Sequence, residues 1–135
     1  MRPISILLVD DNPSFLRIAT RFLQEHDDVV VVGTGGGGEE ALALAQDLQP
    51  DIVLIDLAMP GLTGLATIPL LRVMLPKVGI IALTVLDTNG YRQAALAAGA
   101  DDFVAKASLD TDLLPAIRRV AQADPSRQRG ADESV

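Results

Sequence analysis

Five short apolar runs alternate with five stretches of helical periodicity, and no other feature of the sequence narrows its folding so far. The runs cover residues 5–9, 29–32, 51–55, 78–83 and 102–105. They are continuous rather than alternating in polarity, as expected of strands covered on both faces. Between the first two, residues 13–26 carry Phe15, Ile18, Ala19, Phe22 and Leu23 on one stripe, with Asn12 as N-cap and Pro13 at the first helical position. Residues 39–48, 65–75, 88–98 and 110–121 supply the other helices, and Pro69 should kink or shorten the third. Strand alternating with helix predicts an α/β fold with a parallel sheet, right-handed crossovers and helices on both faces.

At 135 residues, 49% of them hydrophobic, the chain can bury a core without staples, and it has no cysteine for disulfide, zinc-thiolate or thiol chemistry. Residues 1–123 read as one domain, and 124–135, almost without large apolar side chains, as a disordered tail or truncated linker. Lys and Arg number 11 against 18 Asp and Glu, a formal charge of -7. That balance lacks the basic face that neutralises phosphates, so direct nucleic-acid binding by this chain is not expected. No run reaches the roughly 18 apolar residues of a membrane span, and Arg2 followed by Asp10 and Asp11 does not resemble a signal peptide. A soluble cytoplasmic protein without membrane partners is expected.

In such sheets ligands bind where the carboxyl ends of the strands meet a topological switch point. Asp10 and Asp11 close the first run, Asp56 the third, Thr84 the fourth and Lys106 the fifth, all on one sheet edge. Taken singly, each has a plain reading: helix-start acids, a turn before Ala58-Met59-Pro60-Gly61, a strand-end threonine, a solvated lysine. Joint placement on four strand ends is harder to reach by accident. Three converging carboxylates repel unless a divalent cation sits among them, and hard oxygen ligands suit Mg²⁺ or Mn²⁺. A lysine at that edge supplies a point charge for a phosphoryl oxygen, and a threonine a hydroxyl donor. His26, the only histidine, reads as a surface residue at a helix end.

Gly33-Thr34-Gly35-Gly36-Gly37-Gly38 competes for the chemistry, since it satisfies G-x-G-x-x-G after a strand and before a helix. A dinucleotide-binding module is therefore the alternative reading. The run follows the second strand rather than the first, however, and leaves Asp10, Asp11, Thr84 and Lys106 unexplained; a plain loop is the simpler account.

The segments Val9-Asp10-Asp11-Asn12, Asp56-Leu57-Ala58-Met59-Pro60-Gly61-Leu62-Thr63-Gly64, Leu83-Thr84 and Gly99-Ala100-Asp101-Asp102-Phe103-Val104-Ala105-Lys106, in this order, resemble a bacterial response-regulator receiver domain. The resemblance spans residues 4–121, and the Lys106-Ala107-Ser108 ending is similar to the NarL/FixJ-like regulators. It implies a flavodoxin-like (βα)5 fold with strand order 2-1-3-4-5, and a protein that is a regulatory phosphoacceptor rather than an enzyme. By the same resemblance Asp56 is the phosphoacceptor, charged by a partner histidine kinase. Asp11, Asp56 and the Ala58 carbonyl bind Mg²⁺ directly, and Asp10 partly through water. Thr84 and Lys106 hold the phosphoryl oxygens, while Thr84 and Phe103 form the switch. Homodimerisation on phosphorylation and a role in transcription regulation are implied as well. The chain is expected to be a single-domain regulator or to end within a linker. Asp56-Leu57-Ala58 lacks the second acid of a haloacid-dehalogenase-like phosphatase, which sets that enzyme class aside. Two departures are singled out. Ala107 replaces a frequent proline, so a trans bond is expected there. Val85 stands where alanine is usual and is expected to crowd the space that Phe103 needs.

Overall fold

The computed structural model describes residues 2–85 and 89–124. Its elements are β1 (Ile4–Val9), α1 (Pro13–Gln24), β2 (Val29–Gly35), α2 (Gly38–Leu48), β3 (Ile52–Asp56), α3 (Gly64–Met74), β4 (Gly79–Thr84), α4 (Asn89–Ala98), β5 (Asp102–Ala105), a single 3₁₀ turn (Lys106–Ser108) and α5 (Leu109–Ala123). The five strands are parallel in the order β2-β1-β3-β4-β5, the flavodoxin-like arrangement. The expected first residue of the fourth helix, Thr88, and the expected tail beyond Asp124 lie outside the described residues.

The central strands are apolar throughout because each feeds two cores with period two. Ile6 and Leu8, Ile52 and Leu54, and Ile81 and Leu83 pack beneath α1 and α5 with Ala19, Leu23, Leu113 and Ile117. Leu7 and Val9, Val53 and Ile55, and Ile80 and Ala82 face α2, α3 and α4, where Ala41, Ala45, Ile68, Leu71 and Ala95 close the opposite side. β2 departs from the expected two-sided cover: as the edge strand it exposes Val30 and Val32. Its register against β1 slips between Ile6 and Leu7, so that Leu7 pairs with Gly33. Ile18 also departs, facing solvent instead of joining the α1 stripe, where Leu16 takes part beside Phe15 and Phe22.

α1 starts as its sequence indicates. Asn12 Oδ1 accepts from the backbone N–H groups of Ser14 (2.9 Å) and Phe15 (3.3 Å), with Pro13 at the first helical position. α3 runs through the exposed Pro69 to Met74. The His26 ring packs against Phe22 at 5.4 Å between centroids, just beyond α1. No peptide bond among the described residues is cis, that of Ala107 included. No helix among them is long and apolar enough to cross a membrane.

Candidate functional site

β1 is flanked by β2 on one side and β3 on the other, so the chain reverses its direction of winding between β1 and β3. The crevice opened at their carboxyl ends is where ligands of such sheets bind. Asp10 stands one residue past β1, its N–H still tied to Gly35 O at 2.9 Å, and Asp56 is the last residue of β3. Oxygens of Asp10, Asp11 and Asp56 lie within 4.8 Å of one another. Asp10 and Asp56 are buried, and Asp11 faces solvent.

Local turn chemistry fixes the first acid. Asp10 Oδ1 accepts from the Asn12 N–H at 2.9 Å, which holds its carboxylate across the strand end and delivers Asn12 to the α1 cap. Asp10 Oδ2 lies 2.5 Å from the Lys106 Nζ, outside hydrogen-bonding geometry, and is a buried oxygen that takes no hydrogen bond. The same ammonium stands 3.6 Å from Asp56 Oδ1. Lys106 opens the 3₁₀ turn directly after β5, and only 14% of its side chain is exposed. Thr84 is buried at the end of β4, one residue past Leu83, the register partner of Asp56.

Burial pushes the Asp56 carboxyl above its ordinary value, and the neighbouring Asp10 and Asp11 charges add to the rise. The Lys106 ammonium and a backbone hydrogen bond from Ala58 pull the other way without cancelling it. Three carboxylates against one ammonium leave the crevice with unmatched negative charge. The donor set is all hard oxygen, drawn from three acids whose carboxylates converge within 4.8 Å. These features fit a small divalent cation such as Mg²⁺ or Mn²⁺.

Backbone proximity holds Asp56 from the other side. A Cβ on Gly64 would collide with the backbone carbonyl oxygen of Asp56, so only glycine lets α3 start against the end of β3. Thr63 caps that helix through Ala66 N at 3.2 Å. Five of the expected residues (Asp10, Asp11, Asp56, Thr84 and Lys106) therefore stand on one sheet edge, and Ala58 touches Asp56 through its backbone.

Val85 and Phe103 require a correction. Val85 is 73% exposed and points away from the core, whereas Phe103 is 4% exposed and already lies inward, with the Arg92 guanidinium 5.3 Å from its ring centroid. The expected crowding of Phe103 by Val85 does not exist: β4 is buried throughout and ends at Thr84, and Val85 beyond it is turned to solvent, so its methyl groups take none of the space around the buried Phe103. The glycine run is not a free loop either. Gly33-Thr34-Gly35 is the end of β2, and Gly38 begins α2, where a Cβ would collide with Thr67 Oγ1 and meet Leu62 O at 2.5 Å. Glu40 Oε1 accepts from Gly36 N–H at 2.6 Å, so a carboxylate lies against the segment leading into α2 and would repel a dinucleotide's pyrophosphate there.

One residue of the site was not anticipated from sequence. Phe15 was assigned to the core stripe of α1, yet its ring centroid lies 4.3 Å from the Lys106 Nζ. Its place one turn into the helix that follows Asp10 and Asp11 was the available signal.

Residues 6–118 match the family described as the response regulator receiver domain. The chain is 34% identical to the nitrate/nitrite response regulator protein NarL of Escherichia coli (strain K12) over 90% of this chain and 56% of that protein. It is 39% identical to the response regulator GacA of Pseudomonas viridiflava over 87% of this chain and 55% of that protein. It thus spans about half the length of these curated relatives. Among solved structures, the response regulator domain of Thermotoga maritima CheB superposes with a TM-score of 0.83 at 31% identity, covering 92% of this chain and 100% of that one.

Proposed function

Since this chain belongs to the response regulator receiver family, as a two-component receiver domain of the NarL/LuxR type, we propose that Asp56 takes a phosphoryl group from the phosphohistidine of a sensor kinase. The observation that carries this reading is the Lys106 ammonium lodged between Asp10 and Asp56 at the switch-point crevice, 3.6 Å from the acceptor carboxylate. A carboxylate is a weak nucleophile, and its attack brings two negative groups together, so positioned positive charge is what the step requires. An Asp56 oxygen forms the new O–P bond as the N–P bond breaks, and the imidazole leaves with the bond's electron pair. Lys106 follows the charge onto the phosphoryl oxygens, and the Thr84 hydroxyl donates to one of them. Asp10, Asp11, Asp56 and the Ala58 carbonyl would hold Mg²⁺, or Mn²⁺ in its place, which would supply further charge compensation. Thr84 and Phe103 form the switch pair that reports the acyl phosphate to an output surface.

In this reading the protein is a cytoplasmic regulatory phosphoacceptor that assists its own phosphorylation and dephosphorylation. It self-associates on phosphorylation and serves transcription regulation without itself gripping DNA. Incubation with acetyl phosphate and Mg²⁺ is expected to add one phosphoryl mass, seen by intact-mass spectrometry. The addition is absent in Asp56→Asn and in chelator; an unchanged yield in either case would sink the assignment.

A further inference from the structure

Lys106 makes a third contact at the site, and it is with no acid. Its Nζ lies 4.3 Å from the centroid of the Phe15 ring, while Asp10 Oδ2 stands 2.5 Å and Asp56 Oδ1 3.6 Å away. We propose that Phe15 is a positioning residue for Lys106, its ring face holding the ammonium in reach of the phosphoryl group; this rests on the phosphoacceptor reading above.

The segment that places Asp10 also places Phe15. Asp10 Oδ1 accepts from Asn12 N–H, and Asn12 Oδ1 in turn accepts from Phe15 N–H, so the carboxylate and the ring flank the ammonium by one continuous local design. The two flanks act differently. A carboxylate attracts a cation strongly but competes with the phosphoryl oxygens for it. The negative face of an aromatic ring attracts the cation and brings no charge of its own to the crevice. With the Lys106 side chain only 14% exposed, the ring acts on an ammonium largely shielded from water. As the ammonium shifts from Asp10 toward a phosphorylated Asp56, the ring can keep its hold where a third acid would resist.

Phe15 also packs at the edge of the core, so truncation alone does not separate the two roles. The test is a series at position 15 in the full chain: Phe15→Tyr, Phe15→Leu, and mono-, di- and trifluorophenylalanine, which drain the ring face of charge at nearly constant volume. Initial phosphorylation rates with acetyl phosphate and Mg²⁺ are expected to stay within about twofold in Phe15→Tyr and to fall about fivefold in Phe15→Leu, the equivalent of about 1 kcal/mol. They should step down with each fluorine. In the unphosphorylated protein, the Lys106 ε-methylene NMR signals should show an upfield ring-current shift that Phe15→Leu abolishes. A flat fluorine series in a protein that does become phosphorylated overturns the role of Phe15 alone, as does an unshifted Lys106 signal. A wild type that takes no phosphoryl group overturns the phosphoacceptor reading and this inference with it, while the NMR shift still reports whether the ring contact exists.

Discussion

Asp56 carries a cost that follows from its surroundings: it is buried, and two further carboxylates share its crevice with one ammonium. Its carboxyl is held above the ordinary 3.8, first by burial and then by Asp10 and Asp11. The native state therefore binds a proton more readily than the unfolded chain, so the destabilising effect of the charged group is present at neutral pH and fades as pH falls toward 3.8. Asp56→Asn is expected to raise the Tm of the metal-free protein by a few degrees at pH 7, and the advantage over wild type should narrow on acidification. Excess Mg²⁺ should favour wild type instead, because only it gains the linkage energy of binding. Thermal melts with and without chelator at several pH values check both signs. The acids, Thr84 and Lys106 were legible in sequence because strand-end position is a local property. Phe15 was not, because its stripe position fits core packing equally well, and only the meeting of α1 with the β5 end shows the cation beside it.

Individual elements are positioned by close approaches that leave no room for a side chain. α3 begins where Gly64 meets the Asp56 carbonyl, and α2 begins where Gly38 meets Thr67 and Leu62. Gly64→Ala must displace either the helix or the end of β3, so a loss of roughly 3 kcal/mol or more in urea-melt stability is expected. Phosphorylation should fall with it, since the acceptor carboxylate shares that backbone. Retained stability in Gly64→Ala would show that the α3 start can shift freely. The helices and strands themselves were readable from period and caps, Asn12-Pro13 above all. The glycine run reads in sequence as a plain loop rather than a dinucleotide motif, yet its residues serve an edge-strand end and a helix–helix approach, because close packing against Thr67 and Leu62 is a long-range demand.

Across the whole molecule, the C-terminal helix is tied back to the start of the sheet by Arg118 Nε and Asp28 Oδ2 at 2.8 Å, both side chains being about half exposed (47% and 45%). The hydrogen bond and charge of Arg118 hold Asp28 below its ordinary 3.8. A depressed carboxylate contributes stability above the unfolded value and loses it as pH falls through the folded one. Arg118→Ala should thus cause a small loss of stability at pH 7, small because solvent screens the pair, and none once the pH is well below 3.8. A loss that persists in acid would assign the effect to packing of the arginine stem. The alternation of apolar runs and amphipathic stripes by itself determined a parallel α/β sheet and which residues would gather at its carboxyl edge, since both follow from chain direction and side-chain period. Tertiary structure alone decided that Val85 faces water while Phe103 lies inward beneath Arg92, and that Lys106 rests between Asp10 and the Phe15 ring. Those outcomes depend on contacts between segments far apart in the chain, such as Lys106 with Asp10 and with Phe15, and no local pattern encodes them.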